Sequence, residues 1–129
     1  MAKANDDTVF RKAPLFRGLD DDSAASLRGT MTVVKVSKGH TLFKEGAEDD
    51  RLFVVLEGKL KLGKSSTDGR ENLLSILGPG EMFGELSLFD PQPRTSTATA
   101  VTDVRLLALA HDQVIGLVTA HPQIGRAHV

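Results

Sequence analysis

Most residues that could do chemistry are scattered along this chain. The histidines His40, His111, His121 and His128 lie far apart. A metal site in a small β domain wants two histidines about two positions apart on one strand, with a carboxylate beside them, so that the side chains converge on one ion. That spacing is missing, and the four read as surface or helix-end residues. There is no cysteine, which removes disulfides, thiolate zinc sites and cysteine-ligated iron–sulfur clusters. Ser87 follows Glu85-Leu86 and so does not sit in a nucleophile elbow. The neighbouring acids at Asp20 to Asp22 and Asp49-Asp50 read as solvated turn residues or helix caps. The expectation is a binding protein, not an enzyme.

One stretch gathers compatible groups. In GEMFGELSLFDPQPRT, Gly80 to Thr95, Gly84 lets a backbone approach a ligand, and Glu85-Leu86-Ser87 can form one helical turn whose N–H groups point outward. Arg94 ends a loop stiffened by Pro91 and Pro93 and supplies a fork of donors, while Thr95 adds a hydroxyl. Together these make an anion cradle. One arginine matches one negative charge, hence a phosphodiester; a triphosphate would want a lysine, a metal ion and a longer glycine loop. Glu85 is tolerable beside a phosphate only if it accepts a hydrogen bond from something nearby, such as a ribose hydroxyl. The same residues also fit a plain loop in which Glu85 and Arg94 pair with each other.

The elements that must position this stretch are legible in the pattern around it. Residues 5–30 read as two short helices, with Val9 and Phe10 before Pro14 and with Ala24, Leu27 and Met31 at helical spacing behind acidic residues. From 31 to 110 the texture is short Val-, Leu-, Phe- and Thr-rich segments. They end at turns such as Lys38-Gly39, Glu45-Gly46, Glu57-Gly58, Asp68-Gly69, Gly78-Pro79-Gly80 and Thr102-Asp103, the pattern of antiparallel strands. Leu60 and Leu62 share one face, and Ser96, Ala98 and Ala100 oppose Thr95, Thr97, Thr99 and Val101. A last helix over 111–121 carries Val114, Ile115, Leu117 and Val118 as its apolar stripe and stops near Pro122. At 129 residues a single domain is expected. The formal charge of −1 gives no footprint for nucleic acid. Apolar runs such as Leu52 to Leu56 are far shorter than a membrane span, so a soluble cytoplasmic protein is expected.

The run FGELSLFDPQPRTSTATA, Phe83 to Ala100, resembles the phosphate-binding cassette of the cyclic-nucleotide-binding domain. From Gly39 to Asp90 the order of strands and glycines is similar to the N-terminal effector domain of the cyclic AMP receptor protein (CRP/FNR) family of bacterial transcription regulators, of the actinobacterial type. This resemblance covers nearly the whole chain. It implies a mainly β double-stranded β-helix, or jelly roll, flanked by short helices and holding a cyclic nucleotide. Gly84, Leu86 and Arg94-Thr95 would hold the cyclic phosphate, with Ser87 in the same turn, and Glu85 the ribose 2′-hydroxyl. Leu62, Leu74 and Ser75 match positions lining the purine side, although for Leu62 and Leu74 core packing is an equal reading. Gly46 and Gly58 match the family's turn glycines.

The ligand implied is cAMP, with cGMP possible and no other cofactor. Thr95 stands where the best-known enterobacterial member has serine, and the loop from Phe89 to Arg94 is one residue shorter. Family members continue through a long dimer helix into a helix-turn-helix domain, and this chain stops where that helix would begin. DNA is therefore a partner only through a domain missing from this chain, and a homodimer is expected of a full-length protein. The alternative is an interaction domain of the same fold that binds another effector or none.

Overall fold

The structure is a computed structural model and describes residues 6–13, 17–84 and 93–113. Helix α1 spans Asp6–Lys12 and α2 spans Asp21–Thr30. Asp20 sets the start of α2: its carboxylate accepts the Ser23 N–H at 2.7 Å, while Asp21 and Asp22 face the positive end of the helix dipole. Arg11 ties the two helices together, donating from Nη2 to the Leu19 carbonyl at 2.7 Å and pairing with Asp21 at 3.2 Å.

Among the described residues eight antiparallel strands follow: β1 Thr32–Val36, β2 Thr41–Phe43, β3 Leu52–Glu57, β4 Leu60–Ser65, β5 Glu71–Leu77, β6 Met82–Phe83, β7 Thr97–Ala100 and β8 Val104–Leu109. They form two sheets of four, ordered β1-β8-β3-β6 and β2-β7-β4-β5. Every pairing is antiparallel, and neighbours in a sheet are mostly distant in sequence, which is the jelly-roll arrangement. The turns expected at glycines fall between these strands.

The central strands of the first sheet, β3 and β8, are buried on both faces. Leu52, Val54 and Leu56 of β3, with Leu107 and Leu109 of β8, pack against Phe10, Ala24 and Leu27 of the helices. Phe53 and Val55, with Leu106 and Ala108, pack instead on Leu60, Leu77, Ala98 and Ala100 of the second sheet. Central strands of an antiparallel sheet therefore read as continuous apolar runs here, because the helices cover the face that would otherwise be wet. The alternation read from the sequence survives in β7, where Ala98 and Ala100 are buried and Thr97 and Thr99 are half-exposed. Between the sheets, Phe43, Phe53 and Phe83 cluster with ring centroids 5.1 to 6.1 Å apart.

Strand β5 is an edge and is apolar on the outside: Leu73, Leu74 and Ile76 are 58, 57 and 50% exposed. The chain becomes helical again at 111–113. There Gln113 caps the start by accepting the Ala110 N–H at 3.0 Å and donates to the Thr30 carbonyl at 2.8 Å, joining this helix to the end of α2. The expected stripe of Val114, Ile115, Leu117 and Val118 lies outside the described residues. Among the described residues no helix is long and apolar enough to cross a membrane.

Candidate functional site

Two chain segments meet where the sequence placed its anion cradle. Gly84 directly follows β6 and has φ +85°, a conformation open to glycine and strained for other residues. A Cβ there would lie 2.7 Å from the Arg51 carbonyl oxygen and 2.7 Å from Arg94 Nη1. Absence of a side chain is thus what lets Arg94 lie against this backbone. Arg94 itself is pinned by the loop after β2: its N–H donates to the Ala47 carbonyl at 2.8 Å, and its carbonyl accepts the Gly46 N–H at 2.7 Å.

The Arg94 side chain turns inward and is buried, at 7% exposure. Its guanidinium carbon sits 4.4 Å from the centroid of Phe43 and 5.7 Å from that of Phe53, so aromatic faces replace part of the lost hydration. Nη2 donates to the Arg51 carbonyl at 2.6 Å and lies 3.3 Å from Asp49 Oδ1. Asp49 is gripped in turn by Arg51, which donates from Nε to Oδ1 at 3.0 Å, from Nη2 to Oδ2 at 2.8 Å and from its backbone N–H to Oδ1 at 3.1 Å. The Arg51 guanidinium rests over Phe53 at 4.8 Å.

Electrostatics follow from this arrangement. Burial pushes the Asp49 carboxyl up, but the Arg51 hydrogen bonds and the charges of Arg51 and Arg94 outweigh it, so its pKa lies below the ordinary carboxylate value. The hydrogen bond to Asp49 raises the pKa of Arg51 against the opposing effect of burial. For Arg94 burial dominates and lowers the pKa, with Asp49 opposing. An arginine stays protonated regardless, so the site holds a desolvated cation, the state in which an anion is bound most strongly.

Of the residues singled out in the sequence, Gly84 and Arg94 are brought together. Thr95 is exposed beside Arg94. Leu62 of β4 stands opposite Ser75 of β5 on one side and Ala98 of β7 on the other, and it packs at the margin of the inter-sheet core. Leu74, at the irregularity where the register of β4 and β5 shifts, is exposed and is not a core residue. Gly46 and Gly58 both have φ +87°. Glu85, Leu86 and Ser87 lie outside the described residues. Asp49 was expected to be a solvated turn acid; instead its side chain is 12% exposed and bridges two arginines. The pair was missed, although Asp49 and Arg51 stand two apart just before a strand, a spacing that puts side chains on one face. Among the described residues no group of acids and histidines could hold a metal ion.

Residues 33–121 match the family described as the cyclic nucleotide-binding domain. The chain belongs to that family. It is 43% identical over 118 residues to the CRP-like cAMP-activated global transcriptional regulator of Mycobacterium tuberculosis, a match covering 92% of this chain and 53% of that protein. The chain thus spans about half the length of the curated relatives it matches. In structure it is similar to the N-terminal domain of a transcriptional regulator from Streptomyces coelicolor, with TM-score 0.87, 52% identity, and coverage of 92% of this chain and 83% of that one. It is also similar to the regulatory domain of Toxoplasma gondii PKA in a co-crystal with cAMP, with TM-score 0.80, 30% identity, and coverage of 88% of this chain and 43% of that one. The mainly β jelly roll and the kinship to CRP-family regulators expected from the sequence are therefore those of a cyclic nucleotide-binding domain.

Proposed function

We propose that this cyclic nucleotide-binding domain binds cAMP as the sensory part of a cytoplasmic bacterial transcription regulator, and that it performs no catalysis. The observation that carries the reading is the buried Arg94 guanidinium lying against the bare backbone of Gly84. A cation already stripped of water offers charge-assisted hydrogen bonds of about 1.5 to 3 kcal/mol each to a phosphodiester. Gly84, Leu86, Ser87, Arg94 and Thr95 hold the cyclic phosphate, Glu85 the ribose 2′-hydroxyl, and Leu62, Leu74 and Ser75 the purine. The names of the M. tuberculosis relative and of the T. gondii co-crystal favour cAMP over cGMP.

In this reading residues 1–129 form one sensory domain, DNA is contacted by a region outside this chain, and the full-length regulator is a homodimer. Nucleotide shifts the balance between two packings of the cassette only by its difference in affinity for them. A crystal structure grown with cAMP tests the placement. The reading expects the cyclic phosphate between Gly84 and Arg94; a nucleotide bound elsewhere contradicts it.

A further inference from the structure

Arg94 lies on Phe43 and Phe53, in the space between the two sheets. The other face of the first sheet is covered by α1 and α2, and where these helices meet there is a cavity of about 390 Å³. Buried Phe10 and Ala24 give it an apolar lining, while Arg11 from the last turn of α1 and Arg28 from the last turn of α2 give it charge. Gly29 borders the same space. It lies within α2, outside the left-handed region, and a Cβ there would meet nothing within 4 Å. Glycine is the least favourable helix residue after proline, yet neither the backbone conformation nor a close neighbour calls for it here. What it leaves is open space on the groove.

Arg11 is held in place but only partly satisfied. Its Nη2 donates to the Leu19 carbonyl at 2.7 Å, and its Nε is buried with no acceptor. Nη1 faces Asp21 at 3.2 Å, and that side chain is fully exposed, so the pair is weak. An entering anion can displace Asp21 from Nη1 while the Leu19 carbonyl keeps the guanidinium fixed, which spares the ligand an ordering cost. We propose that this groove is a second ligand site, for an amphipathic monoanion: a carboxylate carried on a short apolar body. The carboxylate meets Arg11 Nη1, with Arg28 reinforcing the positive lining, and the apolar body lies over Phe10 and Ala24 in the space left by Gly29. A cavity of this size suits a small molecule. The first sheet stands between this groove and Arg94, so the site is separate from the one proposed for the cyclic phosphate and does not depend on it.

The test is an NMR titration of the isotope-labelled chain with octanoate, in the absence of nucleotide. The backbone N–H signals of Ala25, Arg28 and Gly29 are expected to shift saturably. Octan-1-ol has the apolar body without the charge, and inorganic phosphate has the charge without the body. Each should bind at least about tenfold more weakly than octanoate, the worth of one charge-assisted hydrogen bond. Gly29→Leu fills the open space without a clash and should abolish octanoate binding, with a melting temperature no lower than that of wild type. Asp21→Asn removes the competing charge and should tighten octanoate binding about two- to fivefold.

Equal binding of octanoate and octan-1-ol would make the groove a plain apolar gap and overturn the proposal. Phosphate binding as tightly as octanoate would reduce it to a charged patch and do the same. So would the absence of any saturable shift, octanoate binding that survives Gly29→Leu, or binding that weakens in Asp21→Asn.

Discussion

Gly84 and Arg94 are fitted to each other: the glycine holds φ +85°, and a Cβ in its place would lie 2.7 Å from Arg94 Nη1. The same Cβ would lie 2.7 Å from the Arg51 carbonyl oxygen, a backbone atom that cannot move aside cheaply. Gly84→Ala is therefore expected to destabilise the fold by about 2 to 4 kcal/mol, combining left-handed strain with a steric clash. Urea unfolding of the variant checks this. A loss below about 0.5 kcal/mol would mean that the close approach is not maintained in solution.

In the proposed function Arg94 is the cation that neutralises a bound phosphate. Arg94→Ala is expected to weaken cAMP binding by at least about thirtyfold, since truncating one partner of a buried charge pair costs about 2 to 5 kcal/mol. The titration should be paired with a melting curve, because the substitution also removes the packing on Phe43 and leaves Asp49 with one fewer partner. Affinity unchanged in a folded variant contradicts the cradle.

Asp49 gives the site a dependence on pH. Its folded pKa lies below the ordinary value, so its stabilisation is present in full above the unfolded carboxylate pKa of about 3.9 and is lost as the pH falls through the lower folded value. Asp49→Asn is expected to be less stable than wild type by about 1 to 3 kcal/mol near neutral pH, with the gap closing in acid. Unfolding free energies measured from pH 3 to 7 on both proteins test the sign; a gap that widens in acid contradicts it.

Leu74 separates two roles that are often confounded. It is 57% exposed on an edge strand, so Leu74→Ala is expected to change stability by less than about 0.5 kcal/mol. A severalfold loss of cAMP affinity with an unchanged melting temperature would then report direct contact with the purine. Unchanged affinity removes Leu74 from the site.

What was legible in the sequence was what local rules control. Turn glycines and the alternation of β7 follow from backbone conformation and side-chain period and appear where expected; of the acids Asp20 to Asp22, read as solvated or capping, Asp20 is the cap of α2. The packing of β3 on both faces was not legible, because a run such as Leu52 to Leu56 has no period that distinguishes one covered face from two. The pairing of Gly84 with Arg94 could be proposed from their place in one motif. Their shared partner Arg51 could not, because its carbonyl meets Arg94 from 43 residues away, after the pairing of β3 with β6 sets it beside Gly84 and the loop after β2 holds Arg94. Asp49 read as an ordinary turn acid for a related reason: Arg51 is its neighbour in sequence, but Arg94 reaches it only after the sheets close.

The central claim is most directly tested by calorimetric titration of the wild-type chain with cAMP and, separately, with cGMP. A single saturable site for cAMP with a Kd of about micromolar order is expected, the surplus of a few charge-assisted hydrogen bonds over association costs, with weaker binding of cGMP. No heat from either nucleotide at near-millimolar concentration would contradict the account.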